Sequence, residues 1–455
     1  MLWQPLLRRS FITVVAVATA GPALADADSP APAAPAAAIV ASADDPRLAG
    51  LLAEILERNP ELAALAATAR AAEQRAPQVR ALPDPMASLT LFLLQPETRV
   101  GPQQASASLS QRLPWFGTLG LKERAALLDA AVAWSRLETA RLELVTRARE
   151  LYLELGYLER EERVFREDLS TLDHFESLAQ ARYASGVGTS QAVVKIQAEL
   201  TRSRMRLLEL ETRRAALTAE LNTLRDRPEG LPVALGAPPA RTGPLPARAA
   251  ARATALSSRP ELVGARAAVD AAQARLELAG ASGRPELTVG LSYTLVGRRD
   301  DDVGRAMPPQ GNGNDILAVT GGVSLPLWRA RITAGIEEAT QQRLAAEESQ
   351  RAITARVDGR LADLMSRLPL ISERLRLYDE VLAVQAEESL RSAEGAYAAG
   401  TVGALDLLDA QRVLLAVRLA AERTRTDLEI AAVELEGVLA RPLDDATLSE
   451  IGSES

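Results

Sequence analysis

From Arg182 to Gln197 the chain reads RYASGVGTSQAVVKIQ, and from Tyr397 to Gln411 it reads YAAGTVGALDLLDAQ. Both carry Tyr-x-x-Gly, a second glycine, and a helical pattern running to a glutamine. Leu119 to Ala184 holds no proline, and Ile332 to Ala399 holds only Pro369. At 1.5 Å per residue such helices are about 90–100 Å long, a length that points to a coiled-coil arrangement. Gly186 and Gly400 read as caps with φ > 0, where each long helix turns back. Thr189 and Ser190 cap the returning helix after the first turn. No Ser or Thr follows Gly403, so weaker capping is expected there.

The repetition extends well beyond these turns. RNPEL (Arg58–Leu62) recurs as SRPEL (Ser258–Leu262) at an offset of 200. Leu113-Pro114 recurs as Leu325-Pro326 at 212, and Tyr183, Gln197 and Arg227-Pro228 recur at 214. The drift is expected to fall in the earlier loops, where insertions belong. Two internal repeats follow, 45–228 and 245–442, joined by a proline-rich linker at 229–244 and followed by a tail at 443–455. Residues 1–27 read as a secretory signal, with Arg8 and Arg9, an apolar run from Phe11 to Ala20, and Ala23-Leu24-Ala25 for cleavage. Ala25-Asp26-Ala27 is the alternative cleavage site. The Ala/Pro-rich stretch 28–44 is expected to be disordered.

Each repeat opens with a helix, Pro46–Arg80 or Pro246–Ala279. Two alternating runs follow: Met86–Leu94 and Gln104–Leu113, then Glu286–Val296 and Ile316–Leu327. Leu287, Val289, Leu291, Tyr293 and Leu295 share one face; Thr288, Gly290, Ser292 and Thr294 share the other. The returning helices carry a 3/4 heptad seam. In the first it runs Ile196, Leu200, Ser203, Leu207, Leu210, Arg214, Leu217, Leu221, Leu224; in the second, each position lies 214 further on, from Ala410 to Val438. Only Ser203, Arg214 and Thr424 break it. Leu207 stands against Ala421 and Leu217 against Ala431, an alternation that suits interdigitation if the two helices are neighbours.

Composition narrows the function. Of 455 residues, 47% are hydrophobic but only 3% aromatic, which suits long helices rather than an aromatic-rich core. The net charge of -8 gives a nucleic-acid partner no electrostatic support. With no cysteine and one histidine, His174, no transition-metal cluster and no cofactor site is expected. No nucleophile–base set or phosphate loop appears, so the chain does not read as an enzyme. Four strands are too few to close a barrel alone, and apolar strand faces with open edges are a hazard. A cyclic homo-oligomer that pools strands and helices resolves both problems.

The duplicated NPEL/RPEL start, SLSQRLPWFGTLGLKERAA after the second strand, and the twice-used Tyr-x-x-Gly turn resemble the TolC-type outer-membrane efflux proteins over nearly the whole mature length. ALPDPMASLT (Ala81–Thr90) with LPWFGTLGL (Leu113–Leu121) looks most like the branch serving heavy-metal efflux pumps. The resemblance implies a mainly α fold with a transmembrane β-barrel portion. It also implies a homotrimer, each protomer giving four strands to a barrel of about a dozen, and an α-helical tunnel reaching into the periplasm. The implied function is the outer-membrane exit duct of a tripartite efflux pump or type I secretion system. Implied partners are a periplasmic membrane-fusion adaptor, an inner-membrane transporter of the resistance-nodulation-division or ATP-binding-cassette type, and outer-membrane lipid. A periplasmic coiled-coil scaffold without a pore is the alternative; it has no need of alternating strands.

In the resembling family the two turns form the periplasmic tip and meet the adaptor. That assigns docking to Gly186, Val187, Gly188, Thr189 and Ser190, and to Gly400, Thr401, Val402 and Gly403. Asp406 and Asp409 match positions that form acidic rings at the tunnel entrance. Repeated around a three-fold axis, such rings attract cations and respond to divalent ions. The first copy has Ala192 and Lys195 instead, and Lys195 is expected to pair with Asp406 or Asp409 of a neighbouring helix. An ordinary αα-hairpin turn, and two solvated aspartates favoured by a helix start, are the plain alternatives. His174 reads as a surface or interprotomer residue. Trp115, Phe116 and Trp328 read either as a membrane-interface girdle or as packing under the barrel. Asp300–Asp302 read as a solvated outer loop.

Overall fold

Two helical hairpins carry more than half of the described residues. The structure is a computed structural model that describes residues 35–43, 45–236 and 246–443. The signal, part of the proline-rich linker and the tail beyond 443 lie outside the described residues. The first hairpin is α5 (Thr118–Ala184) and α6 (Ser190–Leu224). The second is α10 (Arg329–Leu377), a π-helical turn (Tyr378–Leu382), α11 (Ala383–Ala399) and α12 (Ala404–Leu439). Seven shorter helices complete the set: α1 (Pro35–Ala41), α2 (Pro46–Arg58), α3 (Pro60–Glu73), α4 (Arg75–Arg80), α7 (Arg248–Ser258), α8 (Pro260–Ala281) and α9 (Asp302–Ala306).

The opening helix of each repeat is broken, contrary to the expectation of one continuous rod. Pro60 and Pro260 each begin a new helix, because proline cannot donate into the preceding turn. The residue before each proline is put to use. Asn59 caps α3 and donates from Nδ2 to the Leu224 carbonyl at 3.0 Å. Arg259 donates to the Val438 carbonyl at 3.4 Å. Both therefore tie the break to the end of the returning helix. Of the stretch 28–44 expected to be disordered, 28–34 and 44 lie outside the described residues, and Pro35–Ala41 form α1, whose Ala36 and Ile39 are buried in the core of α2, α3 and α5.

The strands pair antiparallel in the order β1-β3-β4-β5. β1 is Met86–Leu91, β2 the two-residue Glu97–Thr98, β3 Gly101–Leu113, β4 Leu287–Val296 and β5 Ile316–Val323. β2 pairs only with the start of β3. Phe92–Leu94 and Ser324–Leu327 fall outside the ladders, while β3 begins three residues earlier than expected. Register places Leu89, Ala107, Tyr293 and Leu317 in one row, and Leu109, Leu291 and Val319 in the next. Alternate rows read Ser88, Ser108, Ser292 and Ala318, then Ser110, Gly290 and Thr320. One face is thus aliphatic and the other small and hydroxylated. Ser88 and Ser108 share a hydrogen bond of 2.8 Å on the second face. The aliphatic face is exposed, and the outer edges of β1 and β5 have no strand partner among the described residues.

The heptad seam packs as read: Ile196, Leu200, Leu210 and Leu221 on α6 are buried, as are Leu414, Ala421, Leu435 and Val438 on α12. Its polar interruptions have partners. Ser203 donates to Asp168 at 2.8 Å and Arg214 to Glu162 at 2.5 Å, both on α5. Thr424 bonds the Ala420 carbonyl of its own helix at 2.7 Å. α5 runs between α6 and α12, so the Leu207/Ala421 alternation does not bring the returning helices face to face. α5 and α12 are joined instead by ion pairs, Arg160–Glu422 at 3.0 Å and Arg423–Glu154 at 2.7 Å, and by the buried pair Arg149–Glu436.

The repeat offset also needs correction. It grows from 212 at Leu325 to 214 at Tyr397, an interval that is nearly all helix. The π turn at Tyr378–Leu382 lies within it, and a π turn accommodates one of the two added residues without breaking the rod. No residue from Ser372 to Gln385 is buried, so the turn lies between two packed regions. One, of α7, α10 and α12, ends at Ile371; the other surrounds Tyr397.

Candidate functional site

The two turns lie side by side at the end of the hairpins farthest along the chain from the sheet. Around the first, Gly186 has φ +78° and Gly188 donates to the Arg182 carbonyl at 2.8 Å. A Cβ on Gly188 would lie 2.8 Å from the Tyr183 nitrogen and 2.9 Å from the Arg182 carbonyl carbon. The close return of the chain, rather than φ, demands glycine there. Thr189 Oγ1 accepts from the Ala192 amide at 3.3 Å and caps α6. At the second turn Gly400 has φ +83°. Thr401 donates from both its amide and its hydroxyl to the Ala396 carbonyl, each at 3.0 Å.

No side chain at the N-cap of α12 accepts from its first helical amides, whereas Thr189 does so for α6. Asp406, in the first turn of α12, accepts from the Gly403 amide at 3.0 Å. The cap comes from inside the helix rather than before it, as in half a capping box, and the helix N-terminus favours the carboxylate. Asp406 and Asp409 are exposed. Lys195 is half-buried and forms no ion pair among the described residues. Near it the hairpins are joined instead by Arg412 and Glu199.

Beneath the turns lies a small core of Leu172, Phe175, Ile196, Leu200, Tyr397 and Leu407. Val402 packs against it; Val187, Thr189, Ser190, Gly400, Thr401 and Gly403 stay exposed, and Gly188 is half-buried. The two motif tyrosines differ: Tyr397 is 3% exposed and Tyr183 55%. Arg182 accounts for the difference. Its guanidinium lies 4.8 Å from the Tyr397 ring centre and donates to the carbonyls of Tyr397 and, at 3.2 Å, Ala398. It adds a donor to the Tyr397 carbonyl, which already accepts from the Gly400 amide at 3.0 Å, and supplies one to the Ala398 carbonyl at the end of α11. The residue matching Arg182 in the second copy is Ala396, so the contact has no mirror image. One signal of it is legible in the chain, a cation in the last turn of a helix; its target lies on another hairpin.

His174, expected on the surface, bridges hairpins as well: Nε2 lies 3.1 Å from Glu394 Oε1 on α11. At the other end of the hairpins, Phe116 and Trp328 are exposed beside the sheet, and Trp115 meets Phe116 edge-on at 6.0 Å. No helix among the described residues is long and apolar enough to cross a membrane. No group of three or more His, Cys, Asp or Glu side chains is arranged to hold a metal among the described residues.

Comparison with known proteins gives a consistent result. The profile of the outer membrane efflux protein family matches residues 51–225 and 251–441. The pyoverdine export outer membrane protein OpmQ of Pseudomonas aeruginosa is 27% identical over 334 residues, which is 70% of this chain and 66% of OpmQ. This match therefore spans a little under two thirds of that relative's length. The outer-membrane channel OprN superposes with a TM-score of 0.73 at 20% identity, covering 87% of this chain and 90% of OprN. CusC superposes with a TM-score of 0.72 at 16% identity, covering 90% and 98%. At these identities the superpositions show a shared fold.

Proposed function

Because the chain belongs to the outer membrane efflux protein family, we propose that it forms the passive exit duct of a tripartite efflux pump. The duct is a homotrimer anchored in the outer membrane by a shared β-barrel, with the hairpins forming its periplasmic tunnel. The observation that carries this reading is the sheet. Its aliphatic face suits lipid, its Ser/Thr/Gly face suits a water-filled lumen, and its two free edges call for strands from other copies. Three such sheets give about a dozen strands, enough to enclose a channel. Exposed Phe116 and Trp328 suit a membrane interface.

The chain is a duplicated unit on this reading. Gly186 and Gly400 share φ near +80°, Asp226 and Ala440 share φ near +53°, and Asn59 and Arg259 make the same tie. The turns at 186–190 and 400–403 receive the adaptor, which in turn connects to an inner-membrane transporter. On this reading Asp406 and Asp409 line the entrance, and Lys195 pairs with one of them on a neighbouring helix. Cargo choice belongs to the transporter and adaptor, since the described residues hold no cluster that selects a soft metal.

The test is to purify the chain from outer-membrane fractions, weigh it by native mass spectrometry and record it in planar bilayers. A mass of three chains and uniform conductance steps support the duct. A single chain in the periplasmic fraction, with no conductance, supports a scaffold instead.

A further inference from the structure

Above the tip, a cavity of about 20 Å³ separates the hairpins, lined by Val164, Asp168, Thr171, Leu390, Gln411 and Arg418 among others. That volume holds one water molecule. Asp168 is 7% exposed and Gln411 4%. Ser203 donates to one Asp168 oxygen. The other oxygen and the whole Gln411 amide make no hydrogen bond to a described residue. Two polar groups on different hairpins thus border one water-sized space, and their atoms without a protein partner keep surface that a water can reach.

The charges around Asp168 are committed elsewhere. On α12, Arg418 is held by Glu387 of α11 at 2.9 Å and Glu167 of α5 at 3.5 Å. Glu199 of α6 is held by Arg412 of α12 and by Arg202 at 2.6 Å. Burial pushes the Asp168 carboxyl up to about 6; the Ser203 bond opposes this and the Glu199 charge adds to it.

We infer that Asp168 and Gln411 form a proton-binding latch between the hairpins, closed through one water when Asp168 is protonated and released when it ionises. Protonated, Asp168 donates to the water, and the Gln411 carbonyl accepts from it. Ionised, the carboxylate is a buried charge with a single donor, and its relief is entry of water between α5 and α12. A carboxyl whose folded value lies above its ordinary 3.8 binds more protons when packed. Packing is therefore firmest in acid and weakens as pH rises through about 6. On the reading of α5 and α12 as tunnel wall, an acidified periplasm stiffens the duct.

Hydrogen exchange of the full-length protein, corrected for intrinsic rates, tests this. Between pH 5 and pH 7, exchange at 164–171 and 411–418 is expected to rise roughly tenfold. Asp168→Asn, permanently neutral, is expected to stay protected with no slope, and Gln411→Leu, which removes the acceptor, to lose protection at pH 5; unchanged protection in Gln411→Leu overturns the latch. His174→Gln is the control and retains it. A flat wild-type profile, a wild-type slope in Asp168→Asn, or loss of the slope in His174→Gln overturns the latch. Bilayer recordings at the same two pH values check the duct separately. Absence of any conductance removes the duct reading and leaves the exchange result to decide the latch.

Discussion

The guanidinium of Arg182, at the end of the first long helix, stacks on the ring of Tyr397 at 4.8 Å and donates to that residue's carbonyl at the end of the second. The link ties one turn to the other within a single chain. Arg182→Ala removes it and leaves the Ala398 carbonyl to water, a loss of about 1–2 kcal/mol locally. The expected result is higher single-channel conductance, with Arg182→Lys intermediate because it keeps charge but not the planar fork. Wild-type conductance in Arg182→Ala means the turns are held by something else.

The glycines of the turns are not equivalent, and alanine substitution separates them. Gly186→Ala meets open space but a strained φ, for a cost of about 1 kcal/mol. Gly188→Ala meets backbone at 2.8 Å and is expected to cost more. Gly403→Ala meets only Asp406 Oδ2 at 3.6 Å and is expected to be near neutral. Thermal unfolding of the three variants gives the order; equal midpoints contradict it.

Asp406 has two roles that asparagine can divide. Asp406→Asn keeps an oxygen for the Gly403 amide and loses the charge; Asp406→Ala loses both, at about 1 kcal/mol for the cap. On the entrance reading, Asp406→Asn with Asp409→Asn abolishes divalent-cation block while the thermal midpoint stays put. Block that persists in the double variant removes these residues from the entrance.

Acid sensitivity has a separate source where α2 meets the end of α6. Burial alone pushes Glu54 up, but bonds from Arg225 at 2.6 Å and Arg227 at 2.5 Å outweigh it and hold its carboxyl below the ordinary 4.5. A depressed carboxyl contributes stability above its ordinary value and loses it as pH falls through the folded one. Glu54→Gln is therefore expected to cost about 2 kcal/mol at pH 7 and little in strong acid, well below the ordinary 4.5. Equal destabilisation at both pH values refutes this.

Much of this architecture is legible in the chain itself. The long proline-free stretches and the 3/4 seam announce the hairpins because helix periodicity is local. Leu287 to Leu295 announce a two-faced sheet because strand alternation is local too. The turn glycines follow from the same reasoning. What escapes depends on partners distant in sequence. Arg182 looks like any helix-end cation until Tyr397 is brought beside it, 215 residues on. Ser203 looks like a flaw in the seam until Asp168 is seen opposite. The break at Asn59 is concealed by a good helical pattern on both sides of Pro60. Asp406 reads as a bare charge, and its service to its own helix is hidden because a capping side chain ordinarily precedes the helix it caps.

The π turn at Tyr378–Leu382 has a bearing on recognition. A π turn takes up an added residue in one wide turn, so the helix beyond it keeps its packed face, and the two hairpin ends differ in residue type rather than in phase: Arg182 against Ala396, Lys195 against Asp409. The two hairpin ends share a backbone shape but display different side chains at matching heights. A protein that gripped both would need either two unlike contact surfaces or a single surface that reads the glycine backbone alone. The choice between those strategies would show in how many kinds of contact, one or two, each chain offers its partner.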